Sequence, residues 1–480
     1  MRTMVSFALL LLLAYGLWCL GLACLNLPIP YGDYQFFHEP IINLAEFGRA
    51  VSPGLACIHP AFTSQFDAYP PGAMLALWPF YRLISEPLAA FQMASYLTGA
   101  LRLAALVLLI SVLFDKLENR AHPRLWLSVI GVASIFWLTQ LVPVVIHPQT
   151  LAEPIAWCAL AIVLRNRPRK LADCGWAGIL LAVACVIAPV PAVAFGMIGV
   201  GILTLERRWQ AAAVLASTAS MVTVLLFGVW VLVIPEAAHG FVAHAMNHVG
   251  FLPKTGSDVA IERYAARSSL VASLSAQWQV GLYLATGALA TLATTRTGRL
   301  LQIFTVSLAV GGLLVAASGA LDRLSMFTAL WLALAAASVG VGTGWHRVVA
   351  MLVLSLIGAW WQVKASMAVL ISDAGARYQG VERQLMVSEL ASPIRADTVY
   401  WLMLRKAGSE SENLGYCPVR ANNESIATVV TERRSPASHP GFVEQEHPNL
   451  DWPVLEILQT NRLLTSGAPW DVVPLIFVRH

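Results

Sequence analysis

The chain reads as an all-α polytopic membrane protein of about eleven transmembrane helices, followed by a small C-terminal extracytoplasmic α/β domain. Three observations lead there. Of the 480 residues, 58% are hydrophobic and only 12% are charged, whereas soluble domains carry about 25% charged residues. The apolar residues fall into runs long enough to cross hydrocarbon, with basic clusters recurring between them. Beyond residue 373 charged and polar residues rise, and short alternating stretches replace the long apolar runs.

The composition also excludes two classes. The net charge of +4 does not describe a nucleic-acid face, because the basic residues sit in short groups between apolar runs. The seven cysteines show no CxxC or Cys/His spacing, so no zinc site is supported.

In order, the first apolar run reaches from Met1-Arg2 to Leu25 and is long enough for a membrane anchor, the favoured reading over a signal peptide or lipoprotein signal. Further apolar runs lie near 91–114, 125–142, 150–164, 174–187, 189–204, 211–234, 274–294, 300–318, 325–343 and 347–370. The basic groups between them are Lys116/Arg120/Arg124, Arg165/Arg167/Arg169/Lys170, Arg207/Arg208, Arg296/Arg299 and His346/Arg347. All fall in the cytoplasm if the N-terminus is inside and the C-terminus outside. The expected division is a membrane domain, 1–372, and an extracytoplasmic domain, 373–480.

The first outer loop, 28–90, breaks this regularity. Loops beyond about 12–15 residues are usually functional or disordered, and this one is too aromatic for disorder (Tyr34, Phe36, Phe37, Phe47, Phe62, Phe66, Tyr69). Ile41, Ile42, Leu44, Ala45, Phe47 and Val51 fit an amphipathic helix lying on the membrane surface. Ala73–Ile84, short and interrupted by Pro79 and Arg82, fits a re-entrant or interfacial helix. In the C-terminal part, Thr398–Leu404, Ser425–Glu432 and Val472–Val478 read as strands.

Asp33 is the foremost candidate for chemistry. It follows the first span, near the bilayer surface and among aromatics, where a carboxylate can take a proton from an attacking hydroxyl. The ordinary alternative is a solvated loop acid or a helix cap. Glu39 is a second acid. Tyr69-Pro70-Pro71-Gly72 stiffens the chain, and Gly72 permits close backbone approach. Arg102 lies well inside an apolar run with no acid nearby in sequence; it either snorkels or meets an anion. Outer turns add His147 and Glu153, then Arg323, and loop 235–273 adds Lys254 and Arg263. Acids and cations gathered on one side of a membrane suit a phosphate-bearing lipid.

These residues resemble the GT-C superfamily of membrane glycosyltransferases, in its polyprenyl-phosphate-sugar-dependent branch of dolichyl-phosphate-mannose and aminoarabinose transferases. The resemblance is carried by Gly32-Asp33-Tyr34, Tyr69-Pro70-Pro71-Gly72, Leu101-Arg102-Leu103 and Leu321-Asp322-Arg323-Leu324. It implies inverting sugar transfer on the outer face of the inner (plasma) membrane, from a polyprenyl-phosphate-linked sugar to a lipid, glycan or protein acceptor. Asp33 would be the general base, and Arg102 and Arg323 would hold the donor phosphate. Glu39, Tyr69, His147, Glu153, Lys254 and Arg263 would line the substrate site. The resemblance leaves open whether a divalent cation, Mg or Mn, takes part. Tyr34 stands where the family often has a second acid, and Tyr69 where some branches have lysine.

Two other classes share this outline. A transporter or flippase would place ionisable groups near the membrane midplane, whereas here the polar groups collect at the outer surface. A polymerase or ligase using polyprenyl-diphosphate glycans would concentrate its cations in one outer loop, as 235–273 allows.

Overall fold

The apolar runs are helical wherever the computed structural model describes them. It describes residues 2–30, 34–55, 60–64, 69–116, 147–165, 171–235, 325–340, 345–371, 374–387, 390, 392–396, 398–413, 428–432, 442–445 and 474–479, and scattered helical positions within 131–137, 238–242, 282–288 and 305–309. Among these, the apolar helices are α1 (Arg2–Cys24), α4 (Pro87–Lys116), α5 (Pro148–Leu164), α6 (Leu171–Ile187), α7 (Pro189–Leu205), α8 (Trp209–Val233), α9 (Ser325–Gly340) and α10 (Trp345–Ile371). Two shorter helices, α2 (Tyr34–Phe47) and α3 (Gly72–Leu83), lie between α1 and α4.

Helix α4 is the hub of this bundle, packing on α1, α3, α5 and α9. Helix α5 extends the bundle to α6 and α7, and α8 packs on both of these. The shared core is built from alanine as much as from leucine: Ala152, Ala156, Ala159, Ala177, Ala184 and Ala333 are all buried. Small residues let helix backbones approach closely where lipid removes the hydrophobic drive to associate. Leu9, Leu13, Leu17 and Leu20 on α1 and Met221, Val224, Leu225 and Leu232 on α8 face outward and are exposed. Apolar surface of this extent belongs in a bilayer, so the chain is a multi-pass membrane protein. Among the described residues, two helical stretches have the length and apolarity to cross a membrane by themselves, 87–113 and 209–233, and six further apolar helical stretches are shorter. The runs expected at 125–142, 274–294 and 300–318 lie largely outside the described residues.

Past residue 373 come α11 (Ala374–Val387) and α12 (Thr398–Lys406), with strands β1 (Ile394–Ala396), β2 (Ser411–Asn413), β3 (Thr428–Glu432), β4 (Phe442–Gln445) and β5 (Pro474–Arg479). The five form one sheet of order β2-β1-β3-β5-β4, with β1 parallel to both its neighbours and β5 antiparallel to β3 and β4. The strands expected near 425–432 and 472–478 are present as β3 and β5. The one expected at 398–404 is a helix, α12. Its Leu, Met, Arg and Lys are good helix formers, and Arg405 and Lys406 complement the dipole at its last turn. Gly408, at φ +79°, then closes the helix with a Ser409 N–H to Leu404 carbonyl bond of 2.9 Å. Alternation misled because Tyr400, Trp401, Leu402, Met403 and Leu404 are all buried, so neither period is visible.

A second core joins the long loop between α1 and α4 to this C-terminal part. Tyr34, Ile41 and Ile42 of α2, Leu77 and Tyr81 of α3, and Phe91 of α4 pack with Tyr378, Ile394, Tyr400, Trp401 and Val430. Helix α2 therefore does not lie on a membrane surface with one wet face, as its pattern suggested. It is buried from Tyr34 to Asn43, with α3 and α12 packed on it. Its polar stripe is satisfied by protein. Arg405 of α12 donates to Asn43 Oδ1 at 2.8 Å and to Glu46 Oε2 at 2.5 Å. Lys406 is bonded to Glu382 at 3.0 Å and Glu86 at 3.5 Å, tying α11, α12 and the α3–α4 turn together.

Candidate functional site

The predicted site residues fall into three described groups, arranged around α2, α4 and α5. Asp33, Lys254, Arg263 and Arg323 lie outside the described residues.

The first group brings Tyr69 and His147 together. The Pro70-Pro71 pair leads into α3 at Gly72, where an added Cβ would come within 2.5 Å of the Val186 carbonyl oxygen of α6. Gly72 thus seats the start of α3 against backbone, the close approach that glycine permits. The Tyr69 ring meets Phe37 edge-on at 5.0 Å and Phe36 at 6.0 Å, and Phe37 meets the His147 imidazole at 4.4 Å. His147 is the N-cap of α5; its Nδ1 accepts from the Gln149 N–H at 3.4 Å, and Pro148 takes the first helical position. Half-buried Tyr69 and His147 give this aromatic cluster two polar rims.

The second group is a buried ion pair. Arg102, expected to meet a phosphate, meets the carboxylate of Glu153: Nη2 lies 2.7 Å from Oε2, and the two side chains are 4% and 3% exposed. The guanidinium also lies 5.7 Å from the ring centroids of Phe136 and Trp157, adding cation–π attraction. The pair lies about 9 Å of helix rise along α5 from His147. Two residues expected to serve a ligand separately are each other's partner.

The third group surrounds Glu39. Its carboxylate accepts from Ser52 Oγ at 3.1 Å and from the Gly54 N–H at 3.2 Å. Gln35 Nε2 sits 3.5 Å from both Glu39 Oε2 and the Ser411 carbonyl of β2. Glu39 thus pins the turn at 52–54 and, through Gln35, the edge of the sheet. It is 4% exposed, and burial pushes its carboxyl up to about 7, against the opposing bonds from Gly54 and Ser52. From the ordinary value of 4.5 up to about 7, the folded protein holds a proton that the unfolded chain has released. Stability therefore falls as pH rises through that window and levels off above it. The total is on the order of 3 kcal/mol. Glu39→Gln is expected to flatten this part of the pH profile. Unfolding midpoints in detergent from roughly pH 4 to pH 8 check it; an unchanged slope in the variant would assign the titration to another group.

Sequence reasoning missed His38, Tyr81 and Arg405. His38 Nδ1 lies 2.7 Å from Tyr81 Oη, and the Tyr34 ring stacks on the imidazole at 4.4 Å. The available signal was a histidine four residues after Tyr34 in a helix of mostly apolar residues. A cavity of about 640 Å³ between α6, α7 and α8, lined by Leu181, Ala192, Gly196, Leu215 and Thr223, touches none of the candidate residues.

The fold and these groups define a multi-pass membrane protein whose first long loop and C-terminal sheet share one core. No family model and no curated protein matches the chain. Among solved structures it is similar to ArnT from Cupriavidus metallidurans bound to undecaprenyl phosphate, at 13% identity and a TM-score of 0.45, over 99% of this chain and 97% of that one. The apo state of the same protein gives 13% identity and a TM-score of 0.44 over the same shares. An oligosaccharyltransferase of Archaeoglobus fulgidus, tethered to an acceptor peptide, gives 12% identity and 0.44 over 89% of this chain and 69% of that one.

Proposed function

We propose that the protein is a GT-C-type membrane glycosyltransferase of about eleven spans. It moves a sugar from a polyprenyl-phosphate donor to an acceptor hydroxyl at the outer face of the membrane. The carrying observation is that the chain is buried on both sides of Asp33. Before it, Leu27, Ile29 and Pro30 are buried, and the Leu27 and Pro28 carbonyls accept from Tyr96 and Gln92 of α4. After it, Tyr34 is fully buried. A general base needs such anchored flanks, because its rate advantage depends on a set distance from the hydroxyl.

In this reading Asp33 takes the hydroxyl proton as the acceptor oxygen attacks the anomeric carbon. The bond to the donor phosphate breaks on the opposite side, inverting the centre, and polyprenyl phosphate leaves. Arg323, with Lys254 and Arg263, meets the phosphate and stabilises its growing charge. Tyr69 and His147 line the sugar site. Arg102 and Glu153, already paired, hold α4 to α5.

Membranes containing the wild-type protein and a labelled polyprenyl-phosphate sugar test the class. The expected result is label on a new acceptor with release of polyprenyl phosphate. Label that crosses the bilayer while still attached to its lipid would mean a flippase instead.

A further inference from the structure

We propose that Tyr34, His38 and Tyr81 form a buried positioning set that fixes the first turn of α2 relative to the membrane bundle, and with it the segment carrying Asp33. This rests on the reading of Asp33 as the base.

Tyr34 and His38 stand one helical turn apart on α2, with their rings stacked at 4.4 Å and 18°. Tyr81, from α3, meets both: its hydroxyl is 2.7 Å from His38 Nδ1 and 3.4 Å from the Tyr34 hydroxyl. Tyr34 and His38 are fully buried, and Tyr81 is 7% exposed. Phe91 closes on both α2 rings edge-on, at 4.8 Å and 5.5 Å, and Trp401 covers Tyr34.

The surrounding core is apolar, and Leu or Phe would fill the same volume without desolvating polar atoms. What the polar groups add is direction. Turning α2 by one residue, about 100°, would carry both rings away from Tyr81. Helix α3 is itself seated on the bundle, because Gly72 lies against the Val186–Ile187 backbone. The chain of contacts runs from α6 to α3, through the Tyr81 hydroxyl to Tyr34, and Tyr34 follows Asp33 directly. A misplacement of about 1 Å at a reacting group can cost 10²-fold in rate, so such a relay has something to protect.

Tyr81→Phe removes both hydrogen bonds and keeps the ring. Its expected effect is a kcat lower by about tenfold with an unchanged donor KM. Tyr378→Phe is the control: its buried hydroxyl, in the same core, has no partner among the described residues, and kcat should hold. A second readout does not need activity. Peptide-resolved labelling of Asp33→Cys by a thiol reagent should change at least about tenfold in rate when Tyr81→Phe is added. Unchanged kcat and labelling in Tyr81→Phe, or equal losses in Tyr81→Phe and Tyr378→Phe, would overturn the proposal. If Tyr81→Phe does not accumulate, Tyr34→Phe, which removes only the 3.4 Å contact, should shift both readouts the same way by less. Absence of transfer by the wild type would remove Asp33 as base, and the labelling result would then decide the positioning set by itself.

Discussion

Glu153→Ala is expected to destabilise the protein by about 3–5 kcal/mol, and Arg102→Ala by a similar amount. Each substitution leaves the other charge in a site where both side chains are nearly inaccessible, and an unpaired buried charge is what makes such losses large. The double substitution behaves differently. Replacing Arg102 by Met and Glu153 by Leu removes both charges and keeps most of the volume between α4 and α5. It should recover most of the loss, since a buried pair gains little over well-packed apolar groups. Thermal unfolding in detergent of the two single variants and the double variant checks this. Single variants that unfold with the wild type would mean the pair is not formed. The same double variant, if folded, should still transfer sugar under the proposed mechanism, in which Arg323, Lys254 and Arg263 meet the donor phosphate.

The pair also shows where sequence reading stops. Arg102 and Glu153 were each conspicuous as charged groups beside or within apolar runs. Nothing in a linear pattern joins two residues 51 positions apart, so their pairing was not legible. Helix α2 misled for a related reason. Its spacing of apolar residues marked a helix correctly, but nothing local shows what covers Gln35, Glu39 and Asn43. The groups that cover them come from the next turn, residues 51–54, and from Arg405 and Ser411, more than 350 positions away. The bundle helices and the Tyr69-Pro70-Pro71-Gly72 turn were legible because length, apolarity and proline geometry are local properties. Strand β3 was legible too, since Thr428, Val429, Val430 and Thr431 are all β-branched; α12 was not, because five of its successive residues are buried.

The largest expected effect on function belongs to Asp33. Asparagine keeps the size of the side chain and its capacity to cap a helix but cannot take a proton from an acceptor hydroxyl. Losing one general-base step costs about 10²–10⁴-fold, equivalent to about 3–5 kcal/mol in the barrier. Because the base acts in the transition state, the loss should fall on kcat and leave the donor KM in place.

The decisive measurement is therefore sugar transfer from a labelled polyprenyl-phosphate donor by wild type and Asp33→Asn, in membranes matched for protein level. The account predicts a fall of about 10²–10⁴-fold with donor binding retained. Transfer at the wild-type rate by Asp33→Asn would contradict it and move the search for the base to the 235–273 loop.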